Sequence, residues 1–328
     1  MDDYAECVKR RAAVGAVVAS VLLASGARAE TVNAPAVVTA YAVRLDLGRG
    51  PSIGGCRVFP TDNAWNLNIR AAPQRARSAQ TIAFIQAHGG DFLHADFGEN
   101  QTYGLPYVVV PQNQPLVPIA YDAYGDESDP GPMPIPLNAP VEAGSDRHVL
   151  VLRQGTCDLF ELYGARRTTN GWVAQSGARF DLNSNALRPM GWTSADAAGL
   201  PITPGLVRYE EVASGHVDHA IRVTFDVTQA GFILPATHMA SSTTSADAPP
   251  MGLRLRLSAA YDVSSLTGQA RVLAVTMQNF GFIVADNGSN WFFQGAPSPY
   301  WNDSELNQLK GIPGTAFEVV DTGPVRNG

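Results

Sequence analysis

Two histidines occupy positions where the sequence pattern predicts core residues, and histidine is well suited to proton transfer near neutral pH. The segment VDHAIRVTF (217–225) alternates as a half-buried strand does, with His219 on its apolar side. The segment GFILPATHMA (231–240) places His238 in the same way. If residues 226–231 form a hairpin loop, the two histidines lie opposite each other, about 5 Å apart at Cβ, as a catalytic or metal-binding pair. The alternative is two core histidines hydrogen-bonded to the backbone.

A second candidate is the segment HADFG (94–98). His94 and Asp96 fall on the same side of an extended chain. In this arrangement a carboxylate can orient an imidazole, or both groups can bind a metal ion. The alternative is an ordinary turn in which Asp96 caps the backbone and Gly98 adopts a left-handed conformation.

Glycoside hydrolysis requires two carboxyl groups, one acting as acid and one as nucleophile or base. Glu161 shares a predicted strand face with apolar residues, and burial there would raise its pKa as a general acid requires. Asp96 is the partner we favour. The other candidates are Asp62, Asp181, Asp218 and Asp286.

Four tryptophans, Trp301 among them, lie in predicted turns beside short polar residues or glycine, which is a pattern typical of sugar stacking. Trp65, Trp192 and Trp291 would bind substrate together with His94. The alternative is that the rings close the ends of the fold. In a polysaccharide lyase, a histidine would instead take the proton beside a uronate carboxylate, and an arginine such as Arg222 would neutralise that carboxylate.

A proline- and acid-rich segment, residues 121–140, is too polar for the core and too long for a simple connection. Four carboxylates fall within eight residues of it: Asp122, Asp126, Glu127 and Asp129. Calcium prefers several oxygen ligands and could bind here, although the spacing differs from that of the helix–loop–helix calcium loop. The alternative is a solvated acidic loop, and no other cofactor is required.

The elements that must position these residues are mostly short strands. From residue 146 onward, alternating segments separated by turn signals predict a mainly β fold, an antiparallel β-sandwich of the jelly-roll type with a few short helices. Asn287-Gly288 is the strongest hairpin signal and would pair Val284 with Trp291. Helices are expected at residues 77–90, 267–281 and 302–312.

The first 29 residues have the layout of a secretory signal peptide, with basic residues at 9–11 and an apolar run at 12–24. A small-residue site ends at Ala29, so we expect cleavage there and a secreted or periplasmic protein. The apolar run is too short to span a bilayer comfortably. Residues 30–328 would then form a single β-sandwich domain with an N-terminal segment and a C-terminal helix.

Of the three cysteines, Cys7 leaves with the leader, and Cys56 and Cys157 remain as a pair. In an exported chain such a pair predicts a disulfide. The formal net charge of −7 without any basic run argues against nucleic acid and anionic membranes as partners, and we expect a monomer.

Three longer segments resemble a family of secreted bacterial proteins with lectin- or glucanase-like β-sandwich folds. They begin at GWTSADAAGLPITPGL (191–206), PPMGLRLRLSAAYDVS (249–264) and FGFIVADNGSNWFF (280–293). The resemblance covers most of residues 56–321. It implies export and a β-sandwich and favours polysaccharides as ligands, and it implies no particular catalytic residue.

The expectation is therefore an exported polysaccharide-active enzyme, a glycoside hydrolase with an Asp/Glu pair and histidines in a concave cleft. The catalytic residues predicted are Asp96, Glu161, His219 and His238. A hydrolase is favoured over a lyase with a histidine base because the net negative charge disfavours acidic substrates. A non-catalytic carbohydrate-binding or adhesion module remains the alternative from a different class.

Overall fold

The alternating segments form four β-sheets in a computed structural model that describes residues 51–327. The chain is mainly β with a few short helices, as predicted. The described residues belong to one compact unit. The predicted signal peptide, and the N-terminal segment as far as residue 50, lie outside the described residues.

Within this range the chain alternates short strands with a few helices. The strands are β1 (Ser52–Ile53), β2 (Cys56–Arg57), β3 (His94–Ala95), β4 (Tyr107–Val110), β5 (Ile119–Tyr121), β6 (Val149–Arg153), β7 (Asp158–Tyr163), β8 (Arg166–Arg167), β9 (Trp172–Ala174), β10 (Ser176–Asp181), β11 (Ile221–Phe225), β12 (Arg254–Leu257), β13 (Phe282–Asn287), β14 (Phe292–Phe293) and β15 (Phe317–Val320). The α-helices are α1 (Ser78–Ala87), α2 (Tyr209–Ala213), α3 (Gly268–Asn279) and α4 (Asp303–Leu306).

The predicted helices are confirmed with shorter bounds. Helices α1 and α3 lie inside the two longer predicted segments, and α4 continues as a 3₁₀ helix at Asn307–Gly311. Among residues 51–327, no helix is long and apolar enough to cross a membrane.

The six-stranded sheet has the order β15-β12-β13-β11-β14-β3. Its β11/β13 and β14/β3 pairs are parallel, as are β4/β6 and β5/β9 elsewhere, so the prediction of a purely antiparallel arrangement is wrong. A parallel pair needs a long crossover connection, and the one from β11 to β13 contains helix α3. Strand β11 therefore has partners that are far away in sequence.

Both predicted hairpins are wrong for this reason. Strand β11 pairs with β13 on one side and β14 on the other, which leaves no edge for the segment 231–240. That segment also contains Pro235, which has no N–H to donate to a ladder. Strand β14 pairs with β11, and not with β13 across the Asn287-Gly288 turn.

The four-stranded sheet has the order β10-β7-β6-β4 and shares the largest hydrophobic core with the six-stranded sheet. Leu152 and Leu159 from the smaller sheet belong to that core, and so do Val223, Val284 and Phe293 from the larger one. A second core lies between the four-stranded sheet and the three-stranded sheet β5-β9-β8.

The predicted disulfide is present and joins Cys56 of β2 to Cys157, 101 residues further along the chain. We expect replacement of both cysteines by serine to lower the free energy of unfolding by about 3–5 kcal/mol, because the bridge restricts a long loop in the unfolded chain. Urea unfolding of the oxidised wild type and the double variant measures this difference. A loss of less than about 1 kcal/mol would contradict it.

Candidate functional site

Three polar side chains lie side by side on one face of the six-stranded sheet. The register pairs Val223 with Phe293 and Phe293 with Ala95. One residue further along, Arg222 of β11 is therefore level with Gln294 and Asp96, the residues that directly follow β14 and β3. Asp96 also donates its backbone N–H to the Phe293 carbonyl, which holds this end of the sheet together.

A β-bulge brings Asp286 to the same face. Val223 pairs with Val284, but the next residue, Thr224, pairs with Asp286 because the register shifts between these positions. Without the extra residue, Asp286 would point to the opposite side of the sheet. With it, an Asp286 carboxylate oxygen lies 3.8 Å from Nη2 of Arg222.

We call the charged residues around this guanidinium the Arg222 cluster: Asp96, Glu142, His148, Asp196, Arg222 and Asp286. Arg222 is its centre and donates two hydrogen bonds to Asp196, from Nε (3.1 Å) and from Nη2 (2.7 Å). Burial alone would lower the pKa of Arg222, but the charge and hydrogen bonds of Asp196 raise it. Arg222 is therefore a permanent cation whose fork is occupied by a buried partner.

His148 and Glu142 form a second ion pair in the cluster. His148 donates from Nδ1 to Glu142 (2.6 Å) and from Nε2 to the Ala195 carbonyl (3.0 Å), so both ring nitrogens face acceptors. Burial would lower the pKa of His148, but the bond to Glu142 and its charge raise it. Burial would raise the pKa of Glu142, but the bond from His148 and its charge hold it below its usual value. The pair is therefore an imidazolium and a carboxylate.

Asp286 has the most perturbed carboxyl group of the cluster. Burial and then the negative charge of Asp196 raise its pKa to about 7, against the opposing charges of Arg222 and His148. Its side chain keeps 24 % of its surface exposed, so the group can be reached from solvent. Burial also raises the pKa of Asp96, although a hydrogen bond with Gln294 and the charge of Arg222 oppose this.

An aromatic surface adjoins these carboxyl groups. Phe292 and His94 are register partners two residues before Gln294 and Asp96, so they lie on the same face as the cluster. Their rings stack with centroids 4.6 Å apart and planes inclined by 4°. Both side chains are half-buried, so part of this stacked pair is exposed.

Tyr163 contributes a hydroxyl at the rim. Its ring lies 5.6 Å from that of His148, between centroids. Burial, followed by the charges of Asp146 and Asp286, raises the pKa of the phenol to about 12. Tyr163 therefore remains a neutral hydrogen-bond donor at neutral pH.

His219 does not belong to this site, which corrects the predicted histidine pair. It is fully buried, contacts the Ala220 carbonyl through Nδ1 (2.8 Å) and lies 3.2 Å from Glu211 through Nε2. Glu211 in turn pairs with the buried Arg208. His219 is thus a core histidine with both nitrogens satisfied.

His238 lies apart from His219, on the loop that follows β11. Its Nδ1 donates to the Ala197 carbonyl (2.7 Å), and its Nε2 lies 4.0 Å from Glu127. The ring is half-buried and faces the acidic segment. Of the residues predicted as catalytic, the structure brings only Asp96 into the Arg222 cluster.

Glu161 is buried as predicted but sealed from solvent. Its carboxylate accepts hydrogen bonds from the N–H groups of Ile202 and Thr203 and from the Thr203 hydroxyl, each 2.8 Å long. Burial raises the pKa of Glu161 in spite of these three bonds. With no exposed surface, the group anchors the turn at Ile202 and cannot reach a polysaccharide.

We expect Glu161→Gln to lower the free energy of unfolding by about 1–3 kcal/mol, because the amide NH₂ would face backbone donors that then lack an acceptor. Urea unfolding measures this, with Asp126→Asn, at an exposed position, as the neutral control. Unchanged stability together with lost glycan turnover would instead restore the predicted catalytic role.

The tryptophans predicted to bind sugar are mostly core residues. Trp65 is 1 % exposed and Trp291 is fully buried, so neither ring offers a free face. Trp192 is half-buried, with the Arg188 guanidinium 5.6 Å from its ring centroid. The large apolar area of an indole ring explains why two of them fill the core instead of standing at the surface.

The acidic segment does not gather its carboxylates around one point. Asp122 pairs with Arg166, and Asp129 pairs with Arg188 at 2.5 Å. Glu127 accepts a hydrogen bond from the backbone of Thr193. In the part of the chain that the structure describes, no group of three histidine, cysteine, aspartate or glutamate residues could hold a metal ion. The segment is fixed by arginine and backbone donors.

Known proteins give no guide to the role of the Arg222 cluster. No family model, no curated protein and no solved structure matches the chain.

Proposed function

We propose that the protein is an exported glycoside hydrolase that cleaves a polysaccharide or oligosaccharide at the Arg222 cluster. The observation that carries the proposal is the pair of half-exposed carboxyl groups, Asp286 and Asp96, on the same sheet face on either side of Arg222. Export rests on the predicted leader and accords with the disulfide. The six- and four-stranded sheets would be the two layers of a β-sandwich.

Asp286 is the general acid in this proposal. With a pKa of about 7, a large share of the group is protonated at neutral pH, and it can donate that proton to the oxygen of the leaving sugar. Burial, and then the nearby charge of Asp196, keeps the proton on Asp286. Asp196 and Arg222 are therefore positioning residues.

Asp96 is the second carboxylate and acts as the base. Strands β11 and β14 separate it from β13, and Asp286 is level with Thr224 whereas Asp96 is level with Arg222. At about 4.8 Å per strand and about 3.3 Å per residue, the backbones of Asp96 and Asp286 are therefore about 16 Å apart. The carboxyl groups are then too far apart for the close pair, about 5 Å, of a retaining enzyme. Inversion, for which the carboxyl groups lie about 6.5–9.5 Å apart, is the outcome we assign, and it requires both side chains to lean toward each other across the sheet. The stacked rings of Phe292 and His94 would support the sugar that lies between the two carboxyl groups.

A lyase mechanism has less support. It needs an arginine free to neutralise the uronate carboxylate, whereas both prongs of Arg222 are bonded to Asp196 and the side chain is 4 % exposed. Asp286 and Asp96 would also have no role in that reaction. A binding module would use the aromatic surface alone.

The proposal is tested by incubating the purified protein with a panel of glycans. New reducing ends without unsaturated products support a hydrolase, and an inverted anomer in the first product supports the assigned spacing. Unsaturated uronate products would replace the proposal by a lyase. Binding without cleavage of any glycan would replace it by a carbohydrate-binding module.

A further inference from the structure

The exposed part of the Arg222 cluster is acidic, while its cations are sealed. Arg222 and His148 have only 4 % and 5 % of their side-chain surfaces exposed, and each is bonded to a carboxylate. Asp96, Glu142 and Asp286 are half-buried and reach solvent. A ligand that enters here therefore meets three carboxyl groups and no free cation of the cluster.

One acceptor at the same place has no donor. Gln294 stands between Arg222 and Asp96 in the row across the sheet and is 5 % exposed. Its amide is hydrogen-bonded to Asp96, but within residues 51–327 its side-chain oxygen has no hydrogen-bond partner. A buried acceptor without a donor costs about 1–3 kcal/mol, so a ligand that supplies an N–H or O–H there is favoured.

The acidic exposed surface and the free acceptor of Gln294 both favour the same chemical group in a ligand. A hydroxyl donates a hydrogen bond but brings no positive charge, and an N-acetyl group brings one N–H and no charge. An ammonium group supplies three donors and a positive charge, which suits both the free acceptor and the surplus of carboxyl groups. A uronate or a sulfated sugar would be repelled.

We propose that the sugar unit bound at the Arg222 cluster carries a free amino group, so that the substrate class is a glycan containing deacetylated amino sugars. This inference rests on the proposed function. The ammonium group would lie among Asp96, Glu142 and the Gln294 side-chain oxygen, with the sugar ring on the surface formed by Phe292 and His94.

The test is calorimetric binding of three matched hexasaccharides to the wild-type protein: β-1,4-linked glucosamine, its fully N-acetylated counterpart and β-1,4-linked glucose. At about pH 6, where a sugar amine is protonated, we expect the glucosamine oligomer to bind at least about tenfold more tightly than the other two. Raising the salt concentration should reduce this preference, because part of it is electrostatic. Equal or weaker binding of the glucosamine oligomer overturns the inference.

Two variants locate the effect. Asp96→Asn should reduce the tenfold preference to about threefold or less, since one carboxylate is removed. Asp126→Asn removes an exposed carboxylate outside the cluster and should leave the preference unchanged. If Asp96→Asn does not fold, the salt dependence of the wild type decides, and a preference that salt does not change contradicts the inference.

The same samples separate this inference from the proposed function. Mass spectrometry shows whether any oligomer is shortened. Preferential binding of the amino glycan without cleavage would uphold the inference and refute the hydrolase. Cleavage of a neutral glycan without preference for the amine would do the opposite.

Discussion

Asp286→Asn is expected to lower the rate of glycan hydrolysis by a factor of about 10²–10⁴ at pH 6–7, the usual contribution of a general acid. Asparagine has nearly the same volume as aspartate and can accept the same backbone hydrogen bond from Asn287, but it cannot give a proton to the leaving oxygen. The loss should therefore occur with the fold intact. Initial rates of reducing-end release measure it.

A second substrate distinguishes a general acid from a residue that only supports the site. An aryl glycoside with an acidic phenol as leaving group needs little protonation, so Asp286→Asn should impair its hydrolysis far less than that of a glycan. Equal losses on both substrates would show that Asp286 supports the structure or binds substrate. Asp126→Asn, at an exposed position outside the cluster, should leave both rates unchanged.

The pH profile gives an independent measure of the same role. The rate on a glycan should fall as the pH rises through about 7, because Asp286 then loses the proton that it must donate. Burial raises this pKa most, the charge of Asp196 raises it further, and the charges of Arg222 and His148 lower it. A rate that stays constant up to pH 9 would rule out Asp286 as the acid.

Local alternation predicted part of this site from the sequence. The spacing of His94 and Asp96 placed both on one side of an extended segment, and both lie on the face of the Arg222 cluster. The sequence also indicates Arg222 as a site residue, although as the arginine that neutralises the uronate carboxylate in a lyase. Such inferences succeed because the two-residue period of a strand is a local property of the chain.

The histidine pair failed because strand pairing is not local. The predicted hairpin joined His219 and His238 through a short loop, whereas β11 pairs with β13, about sixty residues further along the chain. The same alternation correctly puts His219 on the apolar face of its strand, and the structure buries it there. What alternation does not reveal is whether a buried polar residue is sealed or beside an opening, and the same limit explains Glu161.

Asp286 shows a further limit. It was one of five candidate carboxylates, and its parity along β13 would put it on the opposite face from Arg222 if the strand were regular. The bulge between Val284 and Asp286 reverses that parity. Glu142, His148 and Asp196 come from loops and a strand end, so no periodic pattern indicated them. A histidine followed by an apolar strand, as in RHVLVL (147–152), carries no sign of its carboxylate partner.

Asp286→Asn should also change stability, and in the direction opposite to its effect on activity. The pKa of an aspartate is about 3.9 in the unfolded chain, whereas that of Asp286 is raised to about 7 by folding. Between these values the folded state binds more protons. The stabilisation is therefore complete below about pH 4 and is lost as the pH rises through about 7.

The difference between a pKa of about 4 in the unfolded chain and about 7 in the folded protein corresponds to about 4 kcal/mol of free energy of unfolding when solvent screening is ignored. Because 24 % of the side chain is exposed, water screens part of this interaction, and we expect about 2–4 kcal/mol. Asparagine does not titrate, so at pH 8 the variant should be more stable than the wild type by this amount. At pH 4 the two proteins should have nearly equal free energies of unfolding.

Urea unfolding of both proteins at several pH values between 4 and 8 measures the difference curve. Other groups also titrate in this range, and His148, whose pKa is raised by folding, makes the wild type lose stability in the same direction. Because His148 is present in both proteins, its own titration largely cancels in the difference between them, and what remains is Asp286 with its charge coupling to His148. If the variant is inactive yet more stable at pH 8, Asp286 lowers the stability of the wild-type protein and is kept for its function. A difference that does not vary with pH would mean that the Asp286 carboxyl group is ionised throughout, and the acid would then have to be sought elsewhere in the Arg222 cluster.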